Sequence, residues 1–283
     1  WEKEGSVICG TRRTGEQPEG WPGGALYRVT GHGFYADAVQ EWPRAMGDVE
    51  NLGVPVEGEG IAALAIDRLR GRAYGLSDKT STFFICDLRS DGPDRFDVRS
   101  EADPFWQFSE NLMISPAGQV FTTAAGNMLI RYDPETDRLE TLDANVPSFP
   151  GRALYARIDA WAWDNVRKLF YVGDKADGIL YTLDPETLET RLLGKPSDRV
   201  RVRALAAARD GRVFGIAGQK GDMGQLFVYE PRTGELRNLG IPLAAVEERR
   251  YGFEFDSAVT GPQGQIYFGE SEWSSRLFIY FPN

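Results

Sequence analysis

Only one histidine, His32, and two cysteines, Cys9 and Cys86, occur in the 283 residues. A serine–histidine–aspartate triad therefore has a single candidate imidazole, and a histidine-based metal site has too few ligands. Two thiols cannot build a disulfide framework. Both lie in apolar runs, VICG and FFICD, where buried free thiols are expected, a bridge between repeats being the alternative. No apolar run is long enough to cross a bilayer as a helix, and no tract is low in complexity. Basic residues are outnumbered, 32 Lys and Arg against 42 Asp and Glu, giving a net charge of −10. That balance argues against nucleic acid or an anionic membrane as partner, since either would need a basic face. An acidic ligand held by a local basic cluster is still allowed.

Glycine, at 32 residues, and aromatics, at 12%, are plentiful, which suits many short strands joined by tight turns. The stretch RYDPETDRLETLD at 131–143 returns as YTLDPETLETRLLG at 181–194 and again as VYEPRTGELRNLG at 228–240. Each copy has an alternating apolar run, then an acid and a proline, then a second short strand. Asp133 or Asp184 can accept from the backbone two residues on, and Pro134 or Pro185 presets φ for the turn. Gly234 and Asp137 suit the left-handed turn position, whereas Leu188 fits it poorly.

The repeat is larger than a hairpin. Upstream lie the strands GRAYG, GQVFT, RKLFY, GRVFG and GQIYF, whose aromatics Tyr74, Phe121, Phe170, Phe214 and Tyr267 recur every 44 to 53 residues. Upstream again come the small, apolar strands AALAID, NLMISP, DAWAWD, RALAAA and DSAVTG. A four-stranded unit (A to D) with a small-residue A strand is one blade of a β-propeller, whose innermost strands crowd together. The reading is an all-β, six-bladed β-propeller with four-stranded antiparallel blades, or seven blades if a longer piece is missing. One domain spans 1–283, with GSVICGTRRTG, ALYRV and DVENLG as strands B to D of a first blade without its A strand. The last blade stops at its C strand, LFIYFPN. A segment upstream of Trp1, or a partner chain, is expected to complete both end blades, since open sheet edges invite aggregation.

GRVFGIAG, LYTLDPET and FDSAVTGPQGQIYFGESEWSSRLFIY resemble a broad group of bacterial propellers of polysaccharide-lyase-like and glycoside-hydrolase-like type. The resemblance covers nearly the whole chain and is one of scaffold. It implies a secreted, periplasmic or cell-surface protein, and it leaves the activity to be argued from the site.

In a propeller, the D–A and B–C loops share one face, where ligands bind. The first residues of the A strands read in register as Ala62 or Ala63, Glu110, Asp159, Arg203 and Asp256, with Asn111 beside Glu110. Three acids and an arginine opening apolar strands are more than packing requires. A ligand-holding cluster and a set of mutually neutralising charges are equally good readings. The B–C loops add Arg12, Arg13, Trp21, Lys175 and Trp273, and the D–A approaches add Trp106, Tyr155, Arg157 and Tyr251. Rings stack on pyranose faces and arginine forks onto a uronate, although long loops use the same residues to pack on one another.

The expectation is a carbohydrate-binding or carbohydrate-cleaving propeller acting on an acidic oligo- or polysaccharide. Hydrolase chemistry would pair Glu110 with Asp159 or Asp256 across a sugar. Lyase chemistry would use Tyr155 or Tyr251 as base, with Arg203 or Arg157 neutralising charge. No cofactor is required, though calcium could sit on Glu110, Asn111, Asp159 and Asp256, as in six-bladed lactonase-type propellers; Arg203 in the same ring weakens that idea. The other class of function is a non-enzymatic interaction module or a subunit of a larger assembly. His32, in a Gly-His-Gly turn after strand C, is expected on the opposite face.

Overall fold

The computed structural model describes residues 6–13, 15–31, 47–99, 109–244, 250–272 and 275–282. His32, Trp106 and Trp273 lie outside them. Among the described residues the only helical turns are the 3-10 segments Pro93–Arg95 and Ala153–Tyr155; everything else regular is strand.

Strands pair with their sequence neighbours in six successive sheets. The first holds β1 (Ser6–Gly10), β2 (Leu26–Gly31) and β3 (Gly47–Gly53). The second holds β4 (Ile61–Asp67), β5 (Arg72–Ser77), β6 (Phe83–Asp87) and β7 (Phe96–Arg99). The third holds β8 (Met113–Ile114), β9 (Val120–Thr123), β10 (Met128–Asp133) and β11 (Arg138–Asn145). The fourth holds β12 (Ile158–Asp164), β13 (Leu169–Asp174), β14 (Leu180–Leu183) and β15 (Thr190–Gly194). The fifth holds β16 (Val202–Ala207), β17 (Val213–Ala217), β18 (Gln225–Glu230) and β19 (Glu235–Gly240). A two-stranded ribbon, β20 (Leu243–Ala244) and β21 (Arg250–Tyr251), leads into the sixth sheet, β22 (Phe255–Thr260), β23 (Ile266–Glu270) and β24 (Leu277–Tyr280). The fold is a six-bladed, all-β propeller. Its four middle sheets have four strands, and the first and last have three among the described residues.

Two compact units divide the chain: Trp1–Phe121 with Tyr132–Arg138, and Thr122–Arg131 with Leu139–Asn283. In the first, Ile8, Leu26, Ile61, Phe84 and Cys86 form one buried cluster. Tyr132 packs on Tyr74 and Phe83 with ring centroids 5.5 and 5.3 Å away, and its hydroxyl donates to Asp137 at 2.8 Å. In the second unit, two cores lie on either side of the fifth sheet. One joins Ala160, Ala162 and Tyr171 to Leu205 and Phe227. The other joins Ala204, Ala206 and Phe214 to Phe255, Ile266 and Phe268. Alanines alternate along β12 and β16 because these inner strands lie side by side, and a larger side chain would separate them.

Pairing register refines the repeat. Tyr74 stands opposite Ala65, Phe214 opposite Ala206 and Tyr267 opposite Val259. The matching partner in the fourth sheet is Tyr171, opposite Ala162, and not its neighbour Phe170. Cys86 is buried as expected, but Cys9 is exposed, and no disulfide joins them. Alternation along β1 turns Ser6 and Ile8 inward, so Cys9 faces out.

The turns follow the expected chemistry. Asp184 accepts the backbone N–H of Glu186 at 2.8 Å, and Asp133 accepts that of Glu135 at 2.9 Å. Gly234, Asp137 and Leu188 all take positive φ, at 76°, 56° and 62°. Leucine at such a position costs on the order of 1 kcal/mol or more. Leu188→Gly is therefore expected to stabilise the protein by roughly 0.5–1 kcal/mol and raise Tm by a few degrees in a thermal melt. An unchanged or lower Tm would show that the leucine side chain's contacts outweigh the backbone cost.

Candidate functional site

Four inner strands carry a β-bulge at the same place. The ladder skips one residue between Ile61 and Ala63, between Ile158 and Ala160, between Val202 and Ala204, and between Phe255 and Ser257. The skipped residues are Ala62, Asp159, Arg203 and Asp256. A bulge leaves its residue unpaired and re-aims its side chain, so these positions are equivalent in structure as well as in the repeat. The third sheet departs from the pattern. Its inner strand is only Met113–Ile114, and Glu110 and Asn111 precede it in irregular backbone.

In the second unit, β16 lies against both β12 and β22, which brings three of these residues into one group. Asp159 is gripped by a residue the sequence reading passed over. Arg201 donates from Nε at 2.8 Å and from Nη2 at 2.6 Å, one bond to each carboxylate oxygen. Arg201 holds φ at 69°, a left-handed conformation that β-substituted residues rarely adopt, and strain of this kind collects at working sites. Arg203 pairs with Asp256 through Nη2, and its Nη1 stands 4.0 Å from Glu254, the other residue missed in the sequence. The signal for both was a period of two, since Arg201 and Glu254 sit two residues before Arg203 and Asp256. The Arg203 side chain is 13% exposed, and its Nη1 is buried without a hydrogen-bond acceptor among the described residues. Burial first, then the like charge of Arg201, lowers the Arg203 pKa below the ordinary arginine value.

In the fourth and sixth sheets the segments leading into the bulges are tied down by buried carboxylates at the ends of the B strands β13 and β23. Asp174 is fully buried and accepts backbone N–H bonds from Arg157 at 2.9 Å and from Ala176 at 2.8 Å, with a third from Asp177. Burial raises its pKa, against the pull of those bonds. In the sixth sheet Glu270 accepts the Phe253 backbone N–H at 2.9 Å and Arg276 Nε at 2.8 Å.

The remaining candidates divide between the units. Arg157 is half-buried, with Nη1 donating to the carbonyls of Leu154 at 3.0 Å and Ala156 at 2.7 Å; desolvation lowers its pKa. Tyr155, exposed, carries Arg152 over its ring at 5.7 Å, and Tyr251 is exposed on β21. The Lys175 backbone N–H donates to the Arg157 carbonyl at 2.9 Å. In the first unit, Arg12 reaches Glu110 at 3.3 Å in an exposed pair, the kind worth little in water. Arg13 gives its backbone N–H to Asp78 at 3.2 Å, Trp21 is half-buried after a turn closed on Pro18, and Asn111 is half-buried. Among the described residues, no three His, Cys, Asp or Glu side chains form a metal-holding group.

No family model matches the sequence. No curated protein matches it either. Solved structures do share the fold. The extracellular domain of BT4673 from B. thetaiotaomicron, described as a one-component system, superposes with a TM-score of 0.57 at 15% identity, over 92% of this chain. The chain spans 31% of the length of that protein chain. A chain of a nidogen/laminin complex gives a TM-score of 0.58 at 11% identity, covering 98% of this chain and 94% of its own. A catalytically inactive histidine-to-alanine variant of virginiamycin B lyase from Staphylococcus aureus, with quinupristin, gives 0.56 at 11% identity, covering 80% and 71%. At these identities the likeness is one of fold. Among the described residues no helix is long and apolar enough to cross a membrane.

Proposed function

We propose that the chain is a ligand-binding propeller module for an acidic sugar and that it does not turn its ligand over. The observation that carries this reading is the state of the charges at the bulges. Both oxygens of Asp159 are taken by Arg201, and Asp256 is paired to Arg203, while Arg203 Nη1 is a desolvated donor with no acceptor among the described residues. A glycosidase needs two carboxylates free to face a sugar, one as acid and one as base or nucleophile. A carboxylate clamped by a guanidinium fork is poorly placed for either role. A buried guanidinium N–H without a partner instead stabilises any acceptor that reaches it.

Sugar acids supply the complementary groups. The acid oxygen meets Arg203, ring hydroxyls donate to the outer lone pairs of Asp256 and Glu254, and the exposed rings of Tyr155 and Tyr251 offer stacking faces. Lyase chemistry of the kind named for the S. aureus neighbour was disabled there by loss of a histidine. This chain has only His32 to offer in that role. The extracellular setting of BT4673 and the laminin complex of the other neighbour fit a recognition role.

The test is a binding screen of the whole chain against matched acidic and neutral oligosaccharides. Acidic members are expected to bind with neutral counterparts at least tenfold weaker, and affinity is expected to fall as salt rises. Equal binding of both series, or none, would overturn the proposal.

A further inference from the structure

The three A–B turns of the fourth, fifth and sixth sheets, at the opposite strand ends from the bulges, enclose a groove of about 620 Å³. That volume suits a small organic ligand. Its walls include Trp163 and Val166 from the fourth sheet, Ala207 and Arg209 from the fifth, and Thr260 and Pro262 from the sixth. We infer that this groove is a second binding site, for a small ring-bearing carboxylate, with the Trp163 indole as stacking platform and Arg209 as the partner of the acid.

Trp163 is held without being covered. Its indole N–H donates to Asn165 Oδ1 at 3.0 Å, and its ring meets Phe170 edge-on at 4.9 Å, yet the side chain remains half-buried rather than buried. An indole fixed in this way presents a flat apolar surface at little entropic cost on binding. Val166, 80% exposed, extends that surface, and Thr260 Oγ1 donates to the Ala207 carbonyl at 2.7 Å, pinning the fifth and sixth sheets together at the opposite wall. These apolar groups gain from contact with a ring and offer nothing to an extended polar chain.

The charge in the groove points to an anion. Among the described residues Asp164 is the one acid lining it, and that carboxylate is already committed. Oδ1 accepts the backbone N–H groups of Val166 at 2.8 Å and Arg167 at 2.9 Å, and Oδ2 accepts Arg167 Nη1 at 2.8 Å. Nearby Asp210 is held by Arg212 at 2.6 Å. Arg209, by contrast, is exposed and makes no ion pair among the described residues. In a chain of net charge −10, that guanidinium gives the groove a local positive character. A planar aromatic ring and a pyranose ring would both stack on indole, so the shared chemistry is a ring carrying a carboxylate.

Isothermal titration of the whole chain with glucuronate, galacturonate and indole-3-acetate, with glucose as neutral control, tests this site. At least one acid is expected to bind, and glucose at least tenfold more weakly. The acid that binds shows whether a sugar or an aromatic ring is preferred. Arg209→Gln should weaken that acid at least tenfold, and Trp163→Phe, which keeps the packing on Phe170, should weaken it severalfold. Because a uronate is also a ligand for the site at the bulges, each titration is repeated in the Arg203→Ala background, where the binding event that depends on Arg209 should persist; this separates the groove from that site. No binding by any of the three acids, or wild-type affinity in both Arg209→Gln and Trp163→Phe, would overturn the inference. So would loss of binding in Arg203→Ala with none in Arg209→Gln, and that result would leave the bulge site standing.

Discussion

Arg203→Ala is expected to weaken binding of an acidic oligosaccharide by about 100-fold, a loss of about 3 kcal/mol. A guanidinium only 13% exposed interacts with an incoming acid in a medium less polar than water, where each contact counts for more than at the surface. The variant removes the donor at Nη1 and leaves Glu254 and Asp256 without their cation, so an approaching acid meets bare carboxylates instead. Arg203→Lys keeps the charge and loses the fork; it should fall between, at about tenfold. A titration series of the two variants against the wild-type chain reads these values directly. If Arg203 served only to neutralise its neighbours, Arg203→Ala would lower Tm and leave affinity intact. That outcome would reassign the residue to the scaffold.

Asp174→Ala carries the largest expected cost to stability. Three backbone N–H groups converge on this fully buried carboxylate, from Arg157, Ala176 and Asp177. Alanine leaves all three in a cavity with no acceptor. Each unsatisfied buried donor costs about 1–3 kcal/mol, and water entering the space would offset part of the sum, so a loss of about 3–4 kcal/mol is expected. The effect should reach the site, because the Arg157 amide is the anchor that sets the start of β12 two residues before Asp159. A denaturant titration gives the stability change. Acid-oligosaccharide affinity measured where the variant is still folded should drop as well. A variant as stable as the wild type would mean that this network adds nothing to the fold.

Much of this was legible in the chain because a propeller writes its architecture as a repeat. The recurrence of DPET and its relatives located the C–D hairpins, and the small-residue strands located the inner edge of each sheet. The offset between inner strand and turn placed Asp159, Arg203 and Asp256 on equivalent positions. The structure adds that the equivalence is a bulge, which no residue type announces, since alanine fills it at Ala62. The repeat misled at Phe170, where two adjacent aromatics fit the pattern and only hydrogen-bond register selects Tyr171. It was silent on Arg201 and Glu254. Both lie outside the recurring motif, and which carboxylate an arginine reaches depends on side-chain length across neighbouring strands, a tertiary matter. Glu110 looked equivalent in sequence, but the short β8 leaves it in irregular backbone beside Arg12. The groove at Trp163 and Arg209 went unread because each turn supplies only part of it.

The central claim is recognition without turnover, and the most direct measurement is product analysis. An acidic oligosaccharide that binds the chain should be incubated with it at saturating concentration and examined for new reducing ends and for the unsaturated products of elimination. The account predicts intact ligand, recovered unchanged after prolonged incubation with the wild-type chain. Cleavage by the wild type that disappears in Asp159→Ala or Tyr155→Phe would contradict it, and would make the bulge cluster an active site.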